Sequence, residues 1–199
     1  MKVCAVITAA GLSSRMGSFK PLLPINDKPA VVHLMDTLFH AGVTHIVLVT
    51  GHRHEELEAV CAAIPHVTTV YNPDYASTQM FVSARLGFCA VPADCTRVLF
   101  LPIDVPLVSV STVRSLIKDE RPLLFPSYQY HRGHPAAIDR RLLPEIIAYS
   151  GDNGLRGAFT SLSAAPAYLV VDDPLCLLDM DTPEDYQLLL RYADRRTTS

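Results

Sequence analysis

The sequence has no excess of basic residues: 17 Lys and Arg stand against 20 Asp and Glu, a formal net charge of -3. That balance argues against a general nucleic-acid binder, whose cationic surplus would show in the count. It leaves room for a small polyanion, which needs only a local cluster of cations. No apolar run approaches the ~20 residues of a membrane span, so no membrane is expected as a partner. The five cysteines, Cys4, Cys61, Cys89, Cys95 and Cys176, are odd in number and form no CxxC pair. They read as five buried thiols in a reducing, cytoplasmic setting rather than as a disulfide framework or a zinc knuckle. The apolar opening is short and Arg15 and Lys20 follow it closely, which suits a first buried strand better than a signal peptide. There is no internal repeat, low-complexity tract or linker. What is present is a chain of 199 residues, 49% of them hydrophobic, long enough to bury ~70% of its unfolded surface in one core. A single domain over residues 1–199 is expected.

Apolar runs of strand length alternate with amphipathic segments. Val3 to Ile7, His45 to Thr50, Val67 to Tyr71 and Val98 to Leu101 read as strands. Helices are expected from Pro29 to Gly42, through Leu57, Val60 and Cys61, from Met80 to Val91 and from about Ser109 to Lys118. Strands rich in Val, Ile and Leu with little polar alternation are buried on both faces, the mark of a parallel sheet between helical layers. Later strands are expected at Leu123 to Phe125, around Gly133-His134-Pro135 and at Tyr168 to Val171. A last helix starts at Pro183, with Thr182 and Asp185 forming a capping box. The fold class is α/β, a Rossmann-like three-layer sandwich with a mostly parallel sheet. Ligands in such sheets bind beyond the carboxyl ends of the strands, which directs the search to the loops after Ile7, Thr50, Tyr71 and Leu101.

The loop after the first strand reads Thr8-Ala9-Ala10-Gly11-Leu12-Ser13-Ser14-Arg15-Met16-Gly17-Ser18-Phe19-Lys20-Pro21. Small residues and Gly11 let the backbone approach a ligand closely, and successive N–H groups form an anion nest. Arg15 and Lys20 add two cations. A Walker A loop needs Gly-Lys-Ser/Thr, and Lys20 lies between Phe19 and Pro21. A dinucleotide fingerprint needs GxGxxG and an acid closing the second strand, and neither is present. The string ITAAGLSSRMG, with the later Lys20, resembles the signature of the MobA-like nucleotidyltransferases. Within that family it is most similar to the molybdenum cofactor cytidylyltransferases, and later motifs match in order over most of the chain. The resemblance implies a fold of the nucleotide-diphospho-sugar transferase type.

The resemblance extends to two acidic sites. Leu101-Pro102-Ile103-Asp104-Val105-Pro106 matches the family pattern PxDxP, in which the Asp is a magnesium ligand. Leu178-Asp179-Met180-Asp181-Thr182-Pro183-Glu184-Asp185 matches DxDTPED. Helix-dipole complementarity accounts for Glu184 and Asp185, but not for Asp179 and Asp181, which precede the cap. Asp181 is the expected second ligand, and Asp179 its orienting neighbour. Mg2+ takes hard oxygen donors, commonly one or two carboxylates with phosphate and water oxygens. The histidines form no comparable set. The resemblance further implies a nucleotide site of Ala9, Ala10, Gly11, Arg15, Lys20, Asn72 and Ser83. It implies an acceptor site of Gly133 and His134 from the GHP segment, and of Gly154 and Arg156 from Gly151-Asp152-Asn153-Gly154-Leu155-Arg156-Gly157. Near Gln79 the family's glycine is missing and one residue is inserted.

The expected reaction is transfer of a nucleotidyl group, CMP from CTP, to the phosphate of molybdopterin, with Arg15, Lys20 and Asp104 as catalytic groups. The methyl of Ala10, where guanylyl-transferring relatives carry glycine, favours the smaller pyrimidine. A recipient molybdoenzyme or its chaperone is the implied protein partner. Two alternatives stand beside this reading: a nucleotidyltransferase using GTP or a sugar or alditol phosphate, and a non-catalytic nucleotide-binding module for cofactor insertion.

Overall fold

The computed structural model describes residues 2–197. The chain forms β1 (Val3–Ala9), a hairpin of β2 (Pro24–Ile25) and β3 (Lys28–Pro29), and α1 (Ala30–Ala41). Then come β4 (His45–Thr50), α2 (His54–Cys61), β5 (Val67–Tyr71), α3 (Met80–Cys89), β6 (Arg97–Pro102) and α4 (Val110–Lys118). The second half contains β7 (Leu123–Tyr128), β8 (His131–Arg132), β9 (Ala136–Asp139), α5 (Leu143–Ala148), α6 (Gly154–Ser161), β10 (Ala167–Val170) and α7 (Pro183–Thr197). The strand order is β10-β7-β9-β6-β1-β4-β5, with β8 paired to β7. Every pairing on the β6-β1-β4-β5 side is parallel, as is β10 with β7.

Central β1 is buried throughout because its alternate residues feed opposite cores. Ala5, Ile7 and Ala9 pack with Leu34, Leu38 and Leu116 of α1 and α4. Cys4 and Val6 pack with Ala84 and Phe88 of α3, and with Ile146, Leu155 and Phe159 of α5 and α6. The result is the expected three layers. Gly42 ends α1 at φ 108°, the left-handed stop that favours glycine. A third cluster joins Ile25, Ala30, Leu107, Leu175, Met180, Leu189 and Ala193. It ties the start of α7 to the same end of the sheet as the loop after β1. Among the described residues no helix is long and apolar enough to cross a membrane.

The sheet is mostly parallel, as expected, with antiparallel β9 between β6 and β7. Ala136, Ala137 and Ile138 of β9 are apolar and buried, so burial carried no sign of strand direction. Three expectations need correction. The Gly133-His134-Pro135 segment is a connection between β8 and β9 rather than a strand, and its His134-Pro135 peptide is cis. Strand β5 mixes half-buried and exposed residues and has none fully buried, since it is the edge strand beside β4. Of the cysteines, four are buried and Cys89, at the last turn of α3, is exposed.

Candidate active site

The loop after β1 is shaped by two left-handed residues, Ser13 at φ 53° and Gly17 at φ 66°. Met16 and Phe19 are buried anchors on either side of the second. Arg15, between these fixed points, keeps a guanidinium that is 72% exposed. The backbone N–H of Lys20 donates to Ser13 Oγ at 3.3 Å, and Pro21 opens a short 3-10 turn. This constrained backbone sends the Lys20 side chain inward, where it is 8% exposed.

Asp104 follows β6. The N–H of Ile103 donates to Thr8 O at 3.0 Å, and Met180 N–H donates to Asp104 O at 2.8 Å. Met180 is fully buried in the third cluster, so the segment carrying Asp181 is docked directly against Asp104. The capping box completes the anchorage: Thr182 N–H and Oγ1 donate to Asp185 Oδ2 at 2.9 and 2.8 Å, and Asp185 N–H donates to Thr182 Oγ1 at 3.2 Å.

Four charged side chains therefore meet. Lys20 Nζ lies 2.6 Å from Asp181 Oδ1 and 3.2 Å from Asp104 Oδ1, and Arg15 Nη2 lies 2.8 Å from Asp181 Oδ2. The two carboxylates respond in opposite directions. Burial raises the pKa of Asp104, opposed by Lys20 and reinforced by the negative charges of Asp181 and Asp179. The hydrogen bond from Lys20 holds Asp181 below the usual carboxylate value, with Arg15 adding to the effect. Desolvation at Asp104 and the shorter Lys20 contact at Asp181 together favour Asp181 as the anion.

This quartet stands at the junction of two cavities of about 200 and 250 Å³ that share Pro102 and Asp104 as a wall. Ala9, Ala10, Gly11, Lys20 and Ser83 line the first, while Arg15, Asp181, Gly133 and His134 line the second. A Cβ on Gly11 would meet nothing within 4 Å: this glycine leaves open space toward the first cavity. Gly133 has a different reason, because a Cβ there would lie 2.6 Å from Cys176 O. The imidazole of His134 is pushed down to about 4 by burial and by nearby Arg132, so it is neutral at ordinary pH. Its Nδ1 is buried without a hydrogen-bond partner.

Three expected site residues lie elsewhere. Asn72 is 1% exposed and spends its amide internally. Its Nδ2 donates to Ser83 Oγ at 2.9 Å and its Oδ1 accepts from Asp74 N–H at 3.0 Å, so it positions Ser83 without lining either cavity. Gly154 and Arg156 line neither cavity, and the structure does not bring them to Gly133 and His134. The reason is packing: α6 lies against α3, where a Cβ on Gly154 would stand 3.4 Å from Phe81 Cβ and 3.7 Å from Gln79 Oε1. Arg156 is exposed.

Sequence reasoning missed several lining groups. Thr8, Tyr75, Thr78 and Met80 belong to the first cavity, and Arg132 to the second, which Asp179, expected beside Asp181, also lines. Thr8 is signalled by alternation along β1, which turns it to the α3 side. Gly51 was also missed: a Cβ there would stand 2.6 Å from Ala10 O and 2.7 Å from Tyr75 Cβ. Its lack of a side chain lets the loops after β4 and β5 close against the loop after β1. Among the described residues no group of three or more His, Cys, Asp and Glu side chains is placed to hold a metal ion. Asp104 and Asp181 are two hard oxygen donors drawn to one cationic centre.

Comparison with known proteins identifies similar chains and a similar fold. The molybdenum cofactor cytidylyltransferase of Escherichia coli is 32% identical over 188 residues, covering 91% of this chain and 92% of that protein. The nicotine blue oxidoreductase of Paenarthrobacter nicotinovorans is 32% identical over 167 residues, covering 77% and 79%. The crystal structure of Rv0371C from Mycobacterium tuberculosis in complex with manganese superposes with a TM-score of 0.76 at 26% identity, over 96% of this chain and 99% of that one. Residues 5–167 match the MobA-like NTP transferase domain, and with the loop, the two acids and the sheet in place the chain belongs to that family of nucleotidyltransferases.

Proposed function

We propose that this protein transfers a cytidylyl group from CTP to the terminal phosphate of molybdopterin and releases pyrophosphate, with magnesium as cofactor. The observation that carries the reading is the meeting of Arg15, Lys20, Asp104 and Asp181 at the wall between two cavities. One cavity takes the nucleotide, the other the acceptor, and the charges stand where the two substrates join. The Escherichia coli relative supports the choice of CTP and of the molybdenum cofactor. The manganese complex of the mycobacterial neighbour supports a divalent cation.

Asp104 and Asp181 fit magnesium, which commonly takes one or two carboxylates and completes its shell with phosphate oxygens and water. An ion held by these two carboxylates would supply neutralisation of phosphate charge. The acceptor phosphate oxygen attacks the α-phosphorus, and the bond from that phosphorus to the bridging oxygen breaks, leaving its electron pair on pyrophosphate. The attacking phosphate is largely ionised near neutral pH, its second pKa being ~6, so the chain needs no strong general base. Arg15 holds the leaving phosphates and Lys20 the transferring group, both acting on charge that spreads in the transition state. Neutral His134 serves the acceptor as a hydrogen-bonding group, not as a cation. The Ala10 methyl on the first cavity narrows it toward a pyrimidine.

The test is magnesium-dependent pyrophosphate release, with each nucleoside triphosphate offered alongside molybdopterin or common sugar and alditol phosphates. Release with CTP and molybdopterin is the expected result. Release only with a sugar or alditol phosphate would change the acceptor. Binding of CTP without release under any acceptor would turn the protein into a nucleotide-binding module. Tighter titration of GTP than of CTP would overturn the role given to Ala10.

A further inference from the structure

Lys20 occupies the space between two carboxylates. Its Nζ touches Asp181 at 2.6 Å and Asp104 at 3.2 Å, and Arg15 takes the other Asp181 oxygen at 2.8 Å. Two side-chain cations thus already neutralise two side-chain anions. An ammonium and a divalent ion placed on the same oxygens would compete for the same lone pairs and repel one another. The Lys20 main chain is fixed by Ser13 Oγ and by the turn at Pro21, but its four-carbon stem is flexible and its charge is a compact point with three donors. Such a group can exchange one anionic partner for another without moving the loop. Gly11 leaves open space in the cavity that Lys20 lines, and the exposed guanidinium of Arg15 lines its neighbour.

We infer that Lys20 is a tethered counter-ion of the Asp104–Asp181 pair in the free protein, and that a divalent cation enters only as a polyphosphate draws Lys20 and Arg15 away. The site then takes metal and nucleoside triphosphate as a single complex, and does not charge itself with metal beforehand. Lys20 in this role is a positioning residue for the carboxylates, in addition to its contact with phosphate. The inference rests on the reading of Asp104 and Asp181 as the metal pair.

The experiment measures Mn2+ binding to the full chain by electron paramagnetic resonance of the free ion, with Mn2+ alone and with CTP. Wild type alone is expected to bind weakly, and to retain the ion with CTP beyond what CTP itself binds. Lys20→Met and Lys20→Gln, two uncharged variants of different polarity, are expected to bind Mn2+ alone at least about tenfold more tightly than wild type. Lys20→Arg keeps the cation and should stay at the wild-type value. Adding Asp181→Asn to Lys20→Met should abolish the gain. Thermal unfolding confirms that each variant is folded. Equal affinity of wild type and both uncharged variants, or a gain that survives Asp181→Asn, overturns the inference while leaving the metal reading intact. Failure of wild type to retain Mn2+ even with CTP removes the metal reading and the inference together.

Discussion

Thr8 sits between two β1 residues that face the opposite core, and it is only 6% exposed. Its Oγ1 is buried with no hydrogen-bond partner, a condition that costs about 1–3 kcal/mol. Thr8→Val keeps the branched shape and removes the unpaired hydroxyl. The free protein is therefore expected to unfold at a higher temperature, by about 2–4 °C per kcal/mol recovered in a chain of this size. A lower midpoint in thermal unfolding would show that the hydroxyl is satisfied. Asp104 and Lys20 carry the opposite kind of cost, stability given over to charge at the site. Asp104→Ala and Lys20→Ala are expected to fold and to lose about 100- to 1000-fold in turnover, the usual effect of removing one electrostatic donor from a transition state. Folded variants with near-wild-type rates of pyrophosphate release would remove those roles.

The capping box of α7 shows how an element places a residue that the cap does not contain. Thr182 closes the helix through Asp185, and Asp181 is the residue just before it. Thr182→Ala removes a cap worth about 1 kcal/mol, so a drop of about 2–4 °C in unfolding midpoint is expected. Because the backbone at Asp181 loosens with it, turnover should fall more than that stability loss alone accounts for. Thr182→Ser, which restores the hydroxyl, should recover both. This cap was legible in the sequence, since Thr182, Pro183 and Asp185 stand at the spacing the motif demands. So was the loop after β1, where small residues, Gly11 and two cations can serve few other purposes. The direction of β9 was not legible, because a short apolar strand buried on both sides reads the same either way. Nor was the separation of Gly154 and Arg156 from Gly133 and His134. Both segments carry glycines beside a cation, but one glycine answers to Phe81 and the other to Cys176, long-range contacts that no local spacing encodes. Gly51 makes the same point: its necessity lies in Ala10 and Tyr75, residues of two other loops.

Stability of the whole molecule against acid links the second cavity to the fold. His134 has a pKa pushed down to about 4 in the folded chain, by burial and by Arg132, against about 6.5 when unfolded. The unfolded chain therefore binds more protons between those two values, and stability falls as pH drops through that window. Above about pH 7 both states are neutral at this residue and the contribution is constant. The depressed carboxylates Asp181 and Asp139 lose their contribution lower, as pH falls through their own folded values below the ordinary Asp range. Depressed His45 acts in the same direction as His134, and Asp104, raised by burial, acts in the opposite one, so the share of His134 is read as a difference from a variant that lacks it. Full titration of His134 corresponds to at most about 3 kcal/mol. Urea unfolding at a series of pH values should show wild type losing up to that amount between about pH 7 and about pH 4, relative to His134→Gln, which cannot take the proton. The variant's curve should be flatter over that interval and should converge on the wild-type slope below it. Parallel curves across the whole range would mean that His134 titrates in the folded protein as it does in water, and that the second cavity does not hold it neutral.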